Sequence, residues 1–201
     1  MRMPLQNRVD PFGVLFRTPA RGTMLGNRGG ALHNIHREIV RSYTCPRWLI
    51  CLLEFKGRRR SVMSPGRYTE LFFLDEAVAL SAGHRPCAEC RRERFNAFRR
   101  AWGEMLLAPE LDAVLHRARI DHKGAKVIYQ DKLAVLPDGC FVAIEDAAHL
   151  VWGDALRLWT SEGYTRRIAR TAGPALVTVL TPEPTVRCLR NGYHPQLHES
   201  V

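Results

Sequence analysis

The chain contains no run of 18 or more apolar residues, which leaves it without a candidate membrane-spanning helix. Its first residues, MRMPLQNRVDPFG, have neither the apolar stretch nor the small-residue cleavage site of a secretion signal, so a cytoplasmic setting is expected. Lysine is scarce in the first half, where Lys56 stands alone among arginines. No Gly-Lys-Ser/Thr ending follows GNRGG, so that stretch is not a phosphate-binding P-loop. A Gly-x-Ser-x-Gly elbow, a dinucleotide-binding fingerprint, internal repeats and low-complexity tracts are all missing as well. These absences remove the commonest hydrolase, nucleotidase and dehydrogenase signatures.

What remains is a chain of 201 residues, 46% apolar and 25% charged, long enough to bury a core without disulfides. Lys and Arg number 30 against 20 Asp and Glu, a formal net charge of +10. The imbalance is local: residues 1–108 carry 19 basic and 9 acidic side chains, whereas residues 109–201 carry 11 of each. Arginine's planar fork suits phosphate oxygens, so a polyanion is the expected partner. A solvated basic surface that keeps the protein soluble is the competing reading.

The pattern of residues predicts an α+β protein in two parts, a basic unit over 1–108 and a helix with an antiparallel β unit over 109–201. Gly-rich RGTMLGNRGG reads as loop, ALHNIHREIV as a short helix and RWLICLLEF as a strand buried on both faces. A strand over Glu70–Leu74 leads to an N-cap at Asp75, a two-turn helix and a stop at Gly83. From Ala88 to Leu107, Phe95, Phe98, Trp102, Met105 and Leu106 recur at helical spacing, with arginines on the other faces. Pro109 breaks that helix, another follows, and beyond Gly124 short strands alternate with turns.

Six cysteines are present, at 45, 51, 87, 90, 140 and 188, and only Cys87 and Cys90 have metal-ligand spacing. A Cys-x-x-Cys turn opening a helix offers two thiolates to Zn²⁺, because backbone amides there stabilise sulfur anions. A structural zinc needs four ligands.

The stretch FFLDEAVALSAGHRPCAECRR resembles the second half of the Ada-type zinc module, in which a strand, an Ala-rich helix, a Gly-aromatic-Arg-Pro turn and Cys-x-x-Cys follow in that order. LGNRGGALH, at 25–33, is similar to a GN…H segment upstream of such modules in thermonuclease-like proteins. The resemblance covers about thirty residues in two pieces and implies zinc and DNA. It also implies a Cys-x-x-x-Cys pair about thirty residues before the second pair, and there this chain has KGRRRSV, without cysteine. Self-methylating repair, which uses one of those missing thiols, is therefore not expected. Replacement ligands are sought in His33 and His36, which would share a helix face, and in Cys45; Cys51 reads as core.

The expectation is thus a nucleic-acid-binding protein with a zinc site at Cys87 and Cys90, completed from His33, His36 and Cys45. Phosphate contacts are assigned to Arg58, Arg59, Arg60, Arg91, Arg92 and Arg94, which flank the turn and the first helical turn. Two alternatives stand beside it. One is a metal-dependent nuclease or base-processing enzyme working from the second half, where His116, Asp121, His122 and Lys123 lie close in sequence. The other is an interaction protein whose arginines meet an acidic protein surface.

Overall fold

Short strands with one apolar face build the first layer. In the computed structural model, which describes residues 3–58, 61–104, 106–170, 173 and 175–201, this layer holds β1 (Arg8–Val9), β2 (Leu15–Phe16), β3 (Met24–Asn27), β4 (Leu49–Cys51), β5 (Leu71–Phe73) and β6 (Arg85–Pro86). They are ordered β2-β1-β5-β3-β4-β6. The β1/β5 and β4/β6 pairs are parallel and the others antiparallel. Pro86 has no N–H to donate, and it sits on the edge strand, where that costs no ladder hydrogen bond.

After β5 comes α1 (Glu76–Ser81), started as expected by Asp75, whose side chain accepts from Val78 N at 2.9 Å. Helix α2 (Arg92–Trp102) buries Phe95, Phe98, Ala101 and Trp102 and ends at Gly103 in the left-handed region. Helix α3 (Ala108–Arg119) takes Pro109 in its first turn, where no intrahelical donor is needed.

The second sheet is wholly antiparallel, ordered β11-β10-β9-β8-β12-β7. Its strands are β7 (Tyr129–Lys132), β8 (Phe141–Ile144), β9 (Ala147–Trp152), β10 (Ala155–Thr160), β11 (Gly163–Ala169) and β12 (Leu176–Val179), and α4 (Glu183–Arg190) follows. The class is α+β, as the sequence predicts. A 3₁₀ turn, Leu133–Val135, follows β7.

One cluster of buried side chains runs from Val9, Ile50 and Leu71 through Phe98 and Leu115 to Phe141, Leu189 and Tyr193. The last residues fold back over α1. Glu76, fully buried, faces Arg91 at 3.0 Å and Arg94 at 2.9 Å and accepts from Tyr193 Oη at 2.5 Å and Gln196 N at 2.8 Å. Asp75 accepts from Tyr164 Oη at 2.8 Å and from His198 N at 3.0 Å. These carboxylates are buried because cations, hydroxyls and amides meet them on several sides. Among the described residues, no helix is long and apolar enough to cross a membrane.

Candidate functional site

The parallel pairing of β4 with β6, Leu49 against Arg85 and Ile50 against Pro86, sets Cys51 beside Cys87. Cys87 N extends the ladder by donating to Ile50 O at 2.9 Å. The chain then turns: Glu89 N donates to Cys87 Sγ at 3.4 Å, and Arg91 N to Cys87 O at 3.1 Å, which leads Cys90 round and into α2. The sulfurs of Cys51, Cys87 and Cys90 end within 4.8 Å of one another. Among the described residues they form the one group of three or more Cys, His, Asp or Glu ligand atoms gathered so closely.

Cys51 is the member of this group that the sequence pattern placed in the core. Strand β4 alternates: Ile50 is fully buried, while Leu49 and Cys51 are half-buried on the opposite face. In RWLICLLEF the apolar residues on both sides concealed that alternation. The readable signal was partial, a cysteine two-residue period away from Leu49 and one strand from the Cys-x-x-Cys turn.

Cys87 is buried and the other two thiols half-buried. Hydrogen bonding from Cys51 and then Cys90 pulls the Cys87 pKa far down, whereas the Cys51 thiol, donating to Cys87 and Cys90, is pushed up. A surface cavity of about 190 Å³ opens beside the thiols, and its wall includes Asn27, Phe55, Tyr68 and Glu89. Arg58 Nη2 lies 2.7 Å from Glu89 Oε1 across the opening, both side chains exposed.

The other expected ligands lie apart from this group. Residues 31–40 are not helical. The Asn34 side chain accepts from His36 N at 2.9 Å and Glu38 N at 3.1 Å, Arg37 has φ 64°, and His33 bridges to Ile39. His33 and His36 thus share no helix face. His33 is buried, its Nδ1 2.7 Å from Thr69 Oγ1 and its Nε2 3.3 Å from Ser64 O, and His36 is exposed. Cys45 Sγ points to Arg47 O at 3.9 Å, beside Gly29.

The arginines divide as well. Arg91 is 4% exposed, ion-paired with Glu76 and hydrogen-bonded to Gln196, so its guanidinium is not free for a phosphate. Arg94 pairs with the same carboxylate, donates to His194 O at 2.5 Å and lies 4.5 Å from the Tyr193 ring centroid. Arg58, between Cys51 and Cys87 in sequence, and Arg92, two residues beyond Cys90, are exposed. Arg59 and Arg60 lie outside the described residues.

The stretch around His116 is occupied structurally. His116 Nδ1 contacts Arg119 Nη2 at 2.9 Å, and the Asp121 side chain accepts from Lys123 N at 2.8 Å and Ala125 N at 2.9 Å, closing a turn. Phe141 and Tyr164 are buried, and Trp152 and Trp159 pack on the core. Comparison of the chain with protein-family models, with curated proteins and with solved structures finds no match.

Proposed function

We propose that Cys51, Cys87 and Cys90 hold one zinc ion, and that the arginine-rich first half binds nucleic acid beside it. The observation that carries the reading is the convergence of three thiols from two strands and a turn. Zn–S bonds of about 2.3 Å in a tetrahedron set sulfurs roughly 3.8 Å apart, a spacing that thiols already within 4.8 Å reach by small rotations. Soft thiolates at this spacing select zinc over magnesium or calcium. The fourth position is left to a solvent oxygen or to a group brought into the cavity.

Three thiolates on Zn²⁺ carry a net charge of about −1. Exposed Arg58 and Arg92 stand near it, and the 19 basic against 9 acidic residues of 1–108 supply the wider field. The zinc would brace the turn from which α2 presents Arg92, a structural role, while phosphates are met at the surface. The likeness to the Ada-type module adds to this reading.

Elemental analysis of the purified full chain tests the first half of the proposal. One zinc per chain is expected, and Cys51→Ser should lower its affinity by at least tenfold. A mobility-shift series with unlabelled-sequence duplexes tests the second: log affinity should fall by about 0.9 per tenfold salt for each phosphate neutralised. Arg92→Ala should weaken binding equally across sequences. A metal-free preparation overturns the zinc site, and no shift at low salt overturns the nucleic-acid role.

A further inference from the structure

Away from the thiols, between the turn that follows β1, the loop over residues 39–48 and the end of α3, lies a cavity of about 480 Å³. Phe12, Ile39 and Tyr43 contribute apolar wall, and Arg28, Arg41, Arg119 and Lys126 contribute cations. No carboxylate lines it among the described residues.

The inner cations are held by neutral groups. Arg28, 2% exposed, donates to Gly13 O at 2.9 Å and to His84 Nε2 at 3.3 Å. Arg119, 1% exposed, donates to Gly83 O at 2.9 Å and to Pro46 O. Both guanidinium carbons sit against the Trp48 ring, at 4.1 and 4.0 Å from its centroid. Lys126 Nζ donates to Ser81 O at 2.6 Å. None of the ion pairs among the described residues involves Arg28, Arg119 or Lys126. Arg119 Nε, buried, has no hydrogen-bond partner.

Two acids lie near without forming an ion pair with these cations, and each offsets part of their charge: Asp10 beside Arg28 and Lys126, and Asp112 beside Arg119. Asp10 accepts from Val14 N at 2.9 Å, and Asp112 is paired bidentately with Arg85 at 2.8 and 2.7 Å. Burial and the neighbouring Arg28 lower the Lys126 pKa to about 7, and burial and Arg28 likewise lower that of Arg119. Enclosed cations whose direct partners are carbonyls, imidazoles and an aromatic ring, with no carboxylate in contact, are only partly compensated, and an arriving anion relieves that cost. A monocarboxylate answers one of them. A phosphate monoester brings close to two charges and three acceptor oxygens, matching donors that converge from three segments.

We propose that this cavity binds a phosphate monoester carried on an aromatic or otherwise apolar body of mononucleotide size, the phosphate meeting Arg28, Arg119 and Lys126. The volume falls within the range of small-ligand sites, about 300–1,000 Å³. Arg41, exposed at the rim, is placed to meet the ligand first. The site is separate from the thiols and stands whether or not they hold zinc.

Titration calorimetry on the full chain tests this with adenosine 5′-monophosphate, adenosine, and a tetranucleotide with and without a 5′-phosphate. Adenosine should bind at least tenfold more weakly than its monophosphate. Lys126→Met and Arg41→Met should each lose about tenfold, with unchanged circular dichroism. Arg119→Met removes a buried side chain and would unfold part of the protein, so the two more accessible cations carry the test. Tighter binding of the phosphorylated tetranucleotide than of the free nucleotide identifies a strand end as the source of the phosphate; the reverse identifies a free nucleotide. Equal affinity for adenosine and its monophosphate, or no binding of any phosphorylated probe at millimolar concentration, overturns the proposal.

Discussion

His84 follows the glycine that ends the first helical segment and is fully buried. Its Nε2 faces Arg28 Nε at 3.3 Å and its Nδ1 faces Ala79 O at 3.3 Å, which fixes the neutral tautomer with the proton on Nδ1. The rings of Phe73 and Trp48 enclose it at 4.7 and 5.1 Å. Burial first, then Arg28, Arg119 and Lys126, hold its pKa well below the ordinary value of 6.5. The unfolded chain therefore binds a proton near pH 6.5 that the folded chain refuses. The resulting stability is complete above that pH and is lost as pH falls, at up to about 1.4 kcal/mol per pH unit. His116 and His149, also lowered by burial, act in the same direction. Urea unfolding from pH 7.5 to 5 should show this decline, and His84→Gln should make it shallower by one proton's share. An unchanged slope in the variant would show that the ring is protonated in the folded protein. Nothing in the sequence around His84, with arginine and proline following it, marks the ring as buried. Only the folding of Arg28 and Arg119 onto Trp48 encloses it.

At the level of elements, the turn joining α1 to β6 depends on Gly83. Its φ is 86°, and a Cβ there would stand 2.5 Å from Arg119 Cδ. Gly83→Ala thus adds both a left-handed penalty and an overlap with α3, and a loss of about 1–3 kcal/mol is expected from denaturant melts. Arg119 can shift only by giving up Gly83 O and Pro46 O. The position was legible as a helix stop, since glycine after an Ala-rich helix marks a C-terminus; the reason that no larger residue fits was not. Helix α2 was legible because Phe95, Phe98 and Trp102 recur at three and four. The segment over 31–40 was misread because Leu32, Ile35 and Ile39 mimic that spacing, while Asn34 caps its own turn and leaves Ile35 73% exposed. Cys51 was misassigned for the opposite reason: apolar neighbours hid a two-residue alternation. The cavity that Arg28, Arg119 and Lys126 line could not be read at all, since the three lie far apart in sequence and meet only through the fold.

Over the whole molecule, the thiols belong to the first sheet and to the turn that launches α2, and α2 packs with Phe98 against Tyr193 at a centroid distance of 5.2 Å. The core cluster continues from there into the second sheet without a break among the described residues. A metal held by Cys51, Cys87 and Cys90 therefore favours the folded state of the entire chain, not of a local turn, because the unfolded chain scatters the three sulfurs. At free zinc a hundredfold above its Kd the gain is about 2.7 kcal/mol. For a chain of this length that corresponds to roughly 5–10 °C in thermal midpoint. Calorimetry of the zinc-loaded protein should show a single transition that a chelator lowers by this amount. Cys51→Ser, with its weaker zinc affinity, should begin at a lower midpoint and lose less to the chelator than the wild type. A wild-type midpoint that the chelator leaves in place would mean that the three thiols meet without holding an ion, and that β4, β6 and α2 are joined by packing alone.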